Sequence, residues 1–169
     1  MGVEAILLTN KKRNSLRILY NIIVIVLLAL WLYVVIEQLT NLEAFKTGIS
    51  RQPLPAFLKL LTIYLLPLLE LSIVISLIFI KLHKIGLLLS IILMTVFTLY
   101  VGTAILGIWN QLPCTCGSVI KGMSWWQHFF FNLFFLVLSV LAYYFKTILR
   151  YNNAGGSVIE GLSAKRHTI

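Results

Sequence analysis

Two cysteines, Cys114 and Cys116, form the pair of side chains in this sequence whose type and spacing could carry redox chemistry. A disulfide needs its two Cα atoms about 4.4–6.8 Å apart, which an i, i+2 pair reaches with some strain. The ring closed by such a bond is so small that it constrains the unfolded chain little. Because strained and exposed disulfides exchange readily with other thiols, the spacing favours thiol–disulfide exchange over a structural staple. Gly117 leaves the backbone free for a tight turn and for the approach of a partner.

Two other interpretations of the cysteine pair stay open. The cysteines could be idle thiols or an inert disulfide. They could also bind a soft metal ion such as Cu(I), because Cys114, Cys116 and His128 are soft or borderline ligands and Met123 could add a fourth. We nevertheless expect no metal site, and we favour exchange in a compartment that permits disulfides.

A stripe of polar side chains is predicted along the last apolar segment. At about 100° per residue, one helix face there carries Trp125, His128, Asn132, Ser139 and Tyr143. Polar side chains are costly in lipid, so this face should point into a bundle, where helix–helix hydrogen bonding is the ordinary role of Ser139 and Tyr143. His128 begins the segment near the cysteine loop, so its imidazole could stabilise a thiolate or shuttle its proton. An interfacial histidine with no such role is the alternative.

Glu70 is the acidic residue that lies within an apolar run. Inserting an acidic side chain at the bilayer centre costs about 2.5–3.5 kcal/mol. The carboxyl group therefore needs a partner or stays protonated. We expect that partner to be Asn132 or a hydroxyl group of the third apolar run, which contains Thr95 and Thr98. Functional and packing roles are equally compatible with this position.

The elements that must position these residues are four apolar runs, each at least about as long as the 20 helical residues that cross a bilayer. The runs are 16–36, 58–80, 85–109 and 125–149. They lack the alternation of transmembrane strands. The chain of 169 residues is 60% hydrophobic, with a mean hydropathy of +0.96, well above a soluble domain. We therefore predict an all-α, polytopic membrane protein with an antiparallel four-helix transmembrane bundle.

The basic residues predict the orientation of this bundle. Ten of the fourteen Lys and Arg residues flank the runs on one side, in the N-terminal segment, the 81–84 turn and the C-terminal region. The positive-inside rule places that side in the cytoplasm. The segments 1–15 and 150–169 should then be cytoplasmic, around a transmembrane domain of residues 16–149. Two outer loops should lie on the other side, residues 37–57 and the cysteine loop of residues 110–124. The orientation of the bundle in the membrane thus accounts for the net charge of +9, and no nucleic-acid partner is expected. Trp31, near the outer end of the first run, is interpreted as an interfacial aromatic residue.

Two short motifs carry a resemblance to a known family. Residues 64–71 contain Pro67 and Glu70 in a Pro-x-x-Glu-Leu pattern, and residues 113–117 read Pro-Cys-Thr-Cys-Gly, followed by Trp125 and Asn132. In these features the chain, from about residue 16 to 144, resembles the MauE/DoxX-like family of redox-associated membrane proteins. It departs from that pattern at Ser118, where many relatives have an aromatic residue or a second glycine. The resemblance implies a DoxX-like four-helix bundle in the bacterial inner membrane, working beside thioredoxin-like proteins in extracytoplasmic maturation.

Two functions from different classes follow. The first is a thiol–disulfide redox component that acts through Cys114 and Cys116 on a thioredoxin-like periplasmic protein. Its electrons would pass to another protein or to a quinone within the bundle. The second is a non-catalytic membrane subunit that scaffolds a larger envelope complex. The first would make the protein an enzyme and the second would not; a small-molecule carrier has only Glu70 and Asn132 in its favour.

Overall fold

The computed structural model describes the backbone of residues 2–52, 54–107 and 124–166, and the side chains of residues 13–52, 54–107 and 124–150. Within these ranges the chain is helical and contains no strand. The helices are α1 (Gly2–Thr40), α2 (Leu42–Ser50), α3 (Ala56–Ile78), α4 (His83–Ile105) and α5 (Trp125–Arg166).

Four of these helices contain segments long and apolar enough to cross a membrane. The segments are Arg13–Thr40, Ala56–Ile78, His83–Ile105 and Trp125–Arg150. Each has 23 to 28 residues, more than the number that a helix needs to span the hydrocarbon layer. Large apolar side chains such as Ile25, Leu99 and Phe130 are exposed on the outer surfaces, as expected where lipid is the solvent. The chain is a multi-pass membrane protein, which confirms the predicted all-α four-helix bundle.

The four membrane helices form a ring around a common core. α1 packs against α3 and α5, and α4 packs against the same two helices. The order around the ring is therefore α1, α3, α4, α5, with α1 opposite α4. All four membrane helices contribute to the most deeply buried apolar side chains, which are Leu27 and Trp31 of α1, Ile73 and Leu77 of α3, Leu87 of α4 and Ala142 of α5.

Neighbouring helices in the bundle run antiparallel. Residues 79–82 connect α3 to α4, so short a link that the two helices must form a hairpin. Within this hairpin Gly86 lies directly against Ser76, and a Cβ atom added at Gly86 would come within 2.9 Å of the Ser76 Cβ atom. The glycine thus permits a backbone approach that a larger residue would prevent.

The first outer loop differs from its prediction. Residues 37–57 were expected to form a loop, but α1 continues to Thr40 and α2 occupies Leu42–Ser50. Phe45 and Ile49 of α2 are buried, and their i, i+4 spacing gives this short helix an apolar face that packs on α3. The terminal segments 1–15 and 150–169 are also helical where they are described, since α1 begins at Gly2 and α5 ends at Arg166.

Candidate functional site

A chain of hydrogen bonds crosses the centre of the bundle. The Trp31 Nε1 group donates to Ser90 Oγ at 3.0 Å, and Ser90 Oγ lies 3.0 Å from Ser139 Oγ. Ser139 donates in turn to the Phe135 carbonyl oxygen at 2.9 Å. Because a hydroxyl group has a single proton, Ser90 must be the donor to Ser139. The network therefore has one direction, links α1, α4 and α5, and leaves none of these three fully buried side chains unpaired.

A second polar contact joins α1 to α3. Gln38 Nε2 donates to Glu70 Oε1 at 3.1 Å, and both side chains are buried, Glu70 completely. The other two polar atoms of the pair, Gln38 Oε1 and Glu70 Oε2, have no hydrogen-bond partner in the described part of the chain. If the Glu70 carboxyl group is protonated on Oε2, this O–H group can donate to Gln38 Oε1 and complete a second hydrogen bond. The contact is thus chemically suited to an uncharged Glu70 side chain.

The described residues on either side of the cysteine segment lie at one end of the bundle. Ser90 contacts Ser139, while Gly102 faces Phe129, so α4 and α5 run antiparallel. The end of α4 at Ile105 and the start of α5 at Trp125 therefore lie together. Gly107 turns the chain with a φ of 68°, a conformation that glycine adopts without strain.

The start of α5 is held by a reciprocal cap. The Ser124 backbone N–H donates to Gln127 Oε1 at 2.9 Å, and the Gln127 N–H donates to Ser124 Oγ at 3.3 Å. This capping box satisfies N–H groups that a helix start otherwise leaves without partners. On the same end of the bundle, the buried Gln52 accepts a hydrogen bond from the Tyr100 hydroxyl group of α4. Ser124, which directly follows the cysteine segment, is consequently held by hydrogen bonds to the first turn of α5.

Comparison with known proteins identifies the family. The sequence profile of the family described as methylamine utilisation protein MauE matches residues 16–145. The chain belongs to the MauE family. The resemblance predicted from the motifs is thereby confirmed, and the match includes all four membrane-spanning segments apart from their terminal residues. No curated protein and no solved structure shows significant similarity to the chain.

The predicted polar stripe of this MauE-family protein faces inward at its centre. Asn132 and Ser139 are buried, whereas Trp125, His128 and Tyr143 are partly buried. The Asn132 Nδ2 group has no hydrogen-bond partner among the described residues. His128 lies in the first turn of α5, where its backbone N–H donates to the Ser124 carbonyl oxygen at 3.0 Å. The proposed catalytic role of His128 stays a prediction.

Four residues of the predicted chemistry, Cys114, Cys116, Gly117 and Met123, lie outside the described residues. Their roles in the MauE-family protein stay predictions. Among the described residues, no group of three or more His, Cys, Asp or Glu side chains could hold a metal ion.

The prediction of the Glu70 partner is wrong, because a different residue bonds Glu70 in the structure. Asn132 and the hydroxyl groups of α4 were expected, but Thr95 and Thr98 donate to carbonyl oxygens of their own helix at 2.7 Å. The residue that bonds Glu70 is Gln38, which was assigned to the outer loop. The signal that could have identified it is the buried series Leu27, Trp31, Val35 and Gln38. Its 4, 4, 3 spacing continues the helical period past the end of the apolar run.

A double-mutant cycle tests the Gln38–Glu70 contact in the MauE-family bundle. Replacing Gln38→Leu should destabilise the folded state by about 1–3 kcal/mol, because it leaves a buried carboxyl group without its hydrogen bond. Replacing both residues by leucine should recover most of that loss, since no buried polar group then remains unpaired. Unfolding by SDS in mixed micelles, followed by circular dichroism, measures the difference. Strict additivity of the two single substitutions would show that the pair is not coupled.

Proposed function

We propose that this protein is a thiol–disulfide redox component of the bacterial inner membrane. It acts through Cys114 and Cys116 on a thioredoxin-like periplasmic protein during protein maturation. The observation that carries the proposal is the family match over residues 16–145, which includes the Cys-Thr-Cys segment. The description of the family suggests a pathway of methylamine utilisation, and the substrate class that we infer is an envelope protein with disulfide bonds.

The position of the two helix ends that flank the cysteine segment supports exchange with another protein. Gly107 and Ser124, which bracket the segment, lie at the same end of the antiparallel α4–α5 pair. A connection between two neighbouring helix ends belongs at the end of a bundle, where a water-soluble partner can reach it. The Ser124–Gln127 cap holds one side of this connection. We infer that a partner can reach the sulfur atoms from this end of the bundle.

The exchange proceeds in two displacements. A thiolate of the partner attacks one sulfur of the Cys114–Cys116 disulfide, forming a mixed disulfide as the other cysteine leaves as a thiolate. A second partner thiolate then attacks the mixed disulfide, which oxidises the partner and leaves two electrons on the cysteine pair. The reverse sequence reduces the partner. His128, in the first turn of α5, is the residue that we propose to stabilise the departing thiolate or carry its proton.

The two electrons would then have to pass to a second protein or to a quinone held within the bundle. A quinone would need a donor for its carbonyl oxygen, and Asn132 Nδ2 could supply one, since it is a buried amide group with no partner among the described residues. Glu70 and Trp125 are the other supporting residues in this proposal. Glu70 lies buried against Gln38, and Trp125 begins α5.

The proposed topology places both termini in the cytoplasm and the cysteine segment in the periplasm. The supporting observation is the clustering of cations at the end opposite to that segment. Lys84 at the start of α4 lies over the Tyr143 ring of α5, and Lys146 of α5 lies over the Tyr20 ring of α1. Helices α4 and α5 thus carry these basic residues to one end, as the positive-inside rule expects of the cytoplasmic side.

Trapping of the partner tests the proposed exchange. Cys114→Ser and Cys116→Ser are expressed separately in intact cells, and whichever variant lacks the resolving cysteine should accumulate a mixed disulfide that dithiothreitol cleaves. The mass of the linked protein, determined by mass spectrometry, identifies the partner. The double variant Cys114→Ser/Cys116→Ser is the matched control and should form no such species.

Two results would contradict this assignment. The first is the absence of any mixed disulfide from both single variants. The second is labelling of the cysteines by a membrane-impermeant maleimide only after cell lysis. Undiminished partner maturation in the double variant would instead identify the protein as a non-catalytic subunit that scaffolds an envelope complex.

A further inference from the structure

The end of the bundle opposite to the cysteine segment carries an arrangement that thiol chemistry does not use. Tyr20 of α1 and His83 of α4 are buried, and their Oη and Nδ1 atoms lie 2.7 Å apart. The Lys146 Nζ atom lies 5.6 Å from the centroid of the same Tyr20 ring. Lys84, next to His83, places its Nζ atom 5.8 Å from the Tyr143 centroid. Side chains of α1, α4 and α5 therefore converge here.

These contacts position the lysine side chains but leave their charge uncompensated. A cation over an aromatic face is attracted by the ring quadrupole, yet the ring has no net charge. The acidic residues whose side chains are described lie elsewhere, because Glu37 and Glu43 are at the opposite end and Glu70 bonds Gln38. In the described part of the chain the one ion pair, Lys46–Glu43, is also at the opposite end.

Further basic residues add to the positive charge of this end. Arg13 and Arg17 lie one to two turns before Tyr20 on α1, Lys81 lies in the α3–α4 connection, and Arg150 follows Lys146 by one turn. The Arg13 Nε group is buried without a hydrogen-bond partner among the described residues. This end thus combines basic residues from α1, α4, α5 and the α3–α4 connection. It also has a buried donor for which the described residues offer no acceptor.

We propose that this basic end binds the headgroup of an anionic phospholipid. Lys84 and Lys146 are its central cations, Arg13 supplies a further donor, and the Tyr20–His83 contact holds the site in shape. The depth of the site favours a lipid over a soluble anion, because Tyr20 and Lys146 both lie within membrane-spanning segments. Lipid phosphate is the negative group found at that boundary. Exposed apolar side chains next to the site, such as Leu19 and Ile85, can contact the acyl chains.

Binding of phosphatidylglycerol to the purified full-length protein in detergent tests the proposal. Native mass spectrometry measures the affinity for dioleoyl phosphatidylglycerol, with dioleoyl phosphatidylcholine as the zwitterionic reference. The variant Lys84→Gln/Lys146→Gln should bind phosphatidylglycerol about 30-fold more weakly, since each basic residue at an anionic lipid surface contributes about a fivefold factor. The charge-preserving variant Lys84→Arg/Lys146→Arg should bind like the wild type.

A matched control removes two positive charges from the opposite end. Arg51 is exposed and Lys59 is partly buried, like Lys84 and Lys146 respectively, so Arg51→Gln/Lys59→Gln should retain wild-type affinity. If the double lysine variant fails to fold in detergent, Lys84→Gln alone, at an exposed position, should still weaken phosphatidylglycerol binding about fivefold.

Three results would overturn the lipid site. One is equal affinity of the double lysine variant and the wild type, and another is an equal loss in the Arg51/Lys59 control. The third is a rise in the thermal unfolding temperature that is as large with inorganic phosphate as with phosphatidylglycerol at the same concentration. That result would identify a site for a free anion.

Discussion

Replacing Trp31→Ala is expected to destabilise the bundle by about 3 kcal/mol, the lower end of the range for truncating a tryptophan in a packed core. Trp31 is completely buried and its indole N–H donates to Ser90. The lower end applies because helices in lipid associate through packing and hydrogen bonds, without a hydrophobic driving force between them. SDS unfolding in mixed micelles, followed by far-ultraviolet circular dichroism, measures the change.

The variant Trp31→Phe separates packing from hydrogen bonding. Phenylalanine keeps most of the ring volume but removes the donor to Ser90, a loss of about 0.6 kcal/mol for an interhelical hydrogen bond in a membrane protein. A cost as large for phenylalanine as for alanine would assign the stabilisation to the hydrogen-bond chain. A cost below about 1 kcal/mol for alanine would contradict a central packing role for Trp31.

The second large effect is expected at Gly86 of α4. Of the two glycines of α4, Gly86 and Gly102, Gly86 has the shorter distance from an added Cβ atom to a neighbouring helix. A Cβ atom there would lie 2.9 Å from the Ser76 Cβ atom and 3.2 Å from the Ser76 carbonyl carbon. Since backbone cannot move aside as a flexible side chain can, Gly86→Ala should force the hairpin apart and cost about 1–3 kcal/mol. The same SDS titration measures this loss.

Gly102→Ala is the matched control because Gly102 lies on the same helix. A Cβ atom at Gly102 would meet the Phe129 ring at 3.6 Å, an ordinary van der Waals distance. Both substitutions gain the same helix propensity, about 1 kcal/mol, so the difference between them isolates the clash with Ser76. Equal stability of the two variants would show that α3 and α4 can separate slightly at no cost.

The two proposed activities lie at opposite ends of the bundle and can be tested independently. The lysine substitutions change the end at which α3 is connected to α4, whereas the cysteine substitutions change the connection between α4 and α5. The Trp31–Ser90–Ser139 network lies between these ends. A loss of partner trapping with normal lipid binding would therefore indicate a defect in exchange, while the converse would indicate a defect at the lipid site.

The spacing of apolar and polar residues within single segments predicted much of the fold of this protein. Four apolar runs of membrane-spanning length are sufficient to predict the all-α bundle. Lipid offers the backbone polar groups no hydrogen-bond partner, so each run must satisfy its own groups by forming a helix. The 3.6-residue period of the last run predicted that Asn132 and Ser139 face inward, and both are buried. The motifs around Glu70 and Cys114 predicted the family that the sequence profile identifies.

The tertiary structure decided which side chains meet across helices. Trp31 was interpreted as an interfacial residue, but it is completely buried and bonded to Ser90 of α4. An indole group suits both environments, since it is apolar with one donor. Whether Trp31 lies at the interface or in the core depends on its acceptor Ser90, which is 59 positions away in the sequence. In the same way, the contact between Gln38 and Glu70 requires α1 to continue beyond its apolar run and to lie beside α3. The period of one helix predicts its buried face, but the register between two helices depends on how their side chains pack against each other.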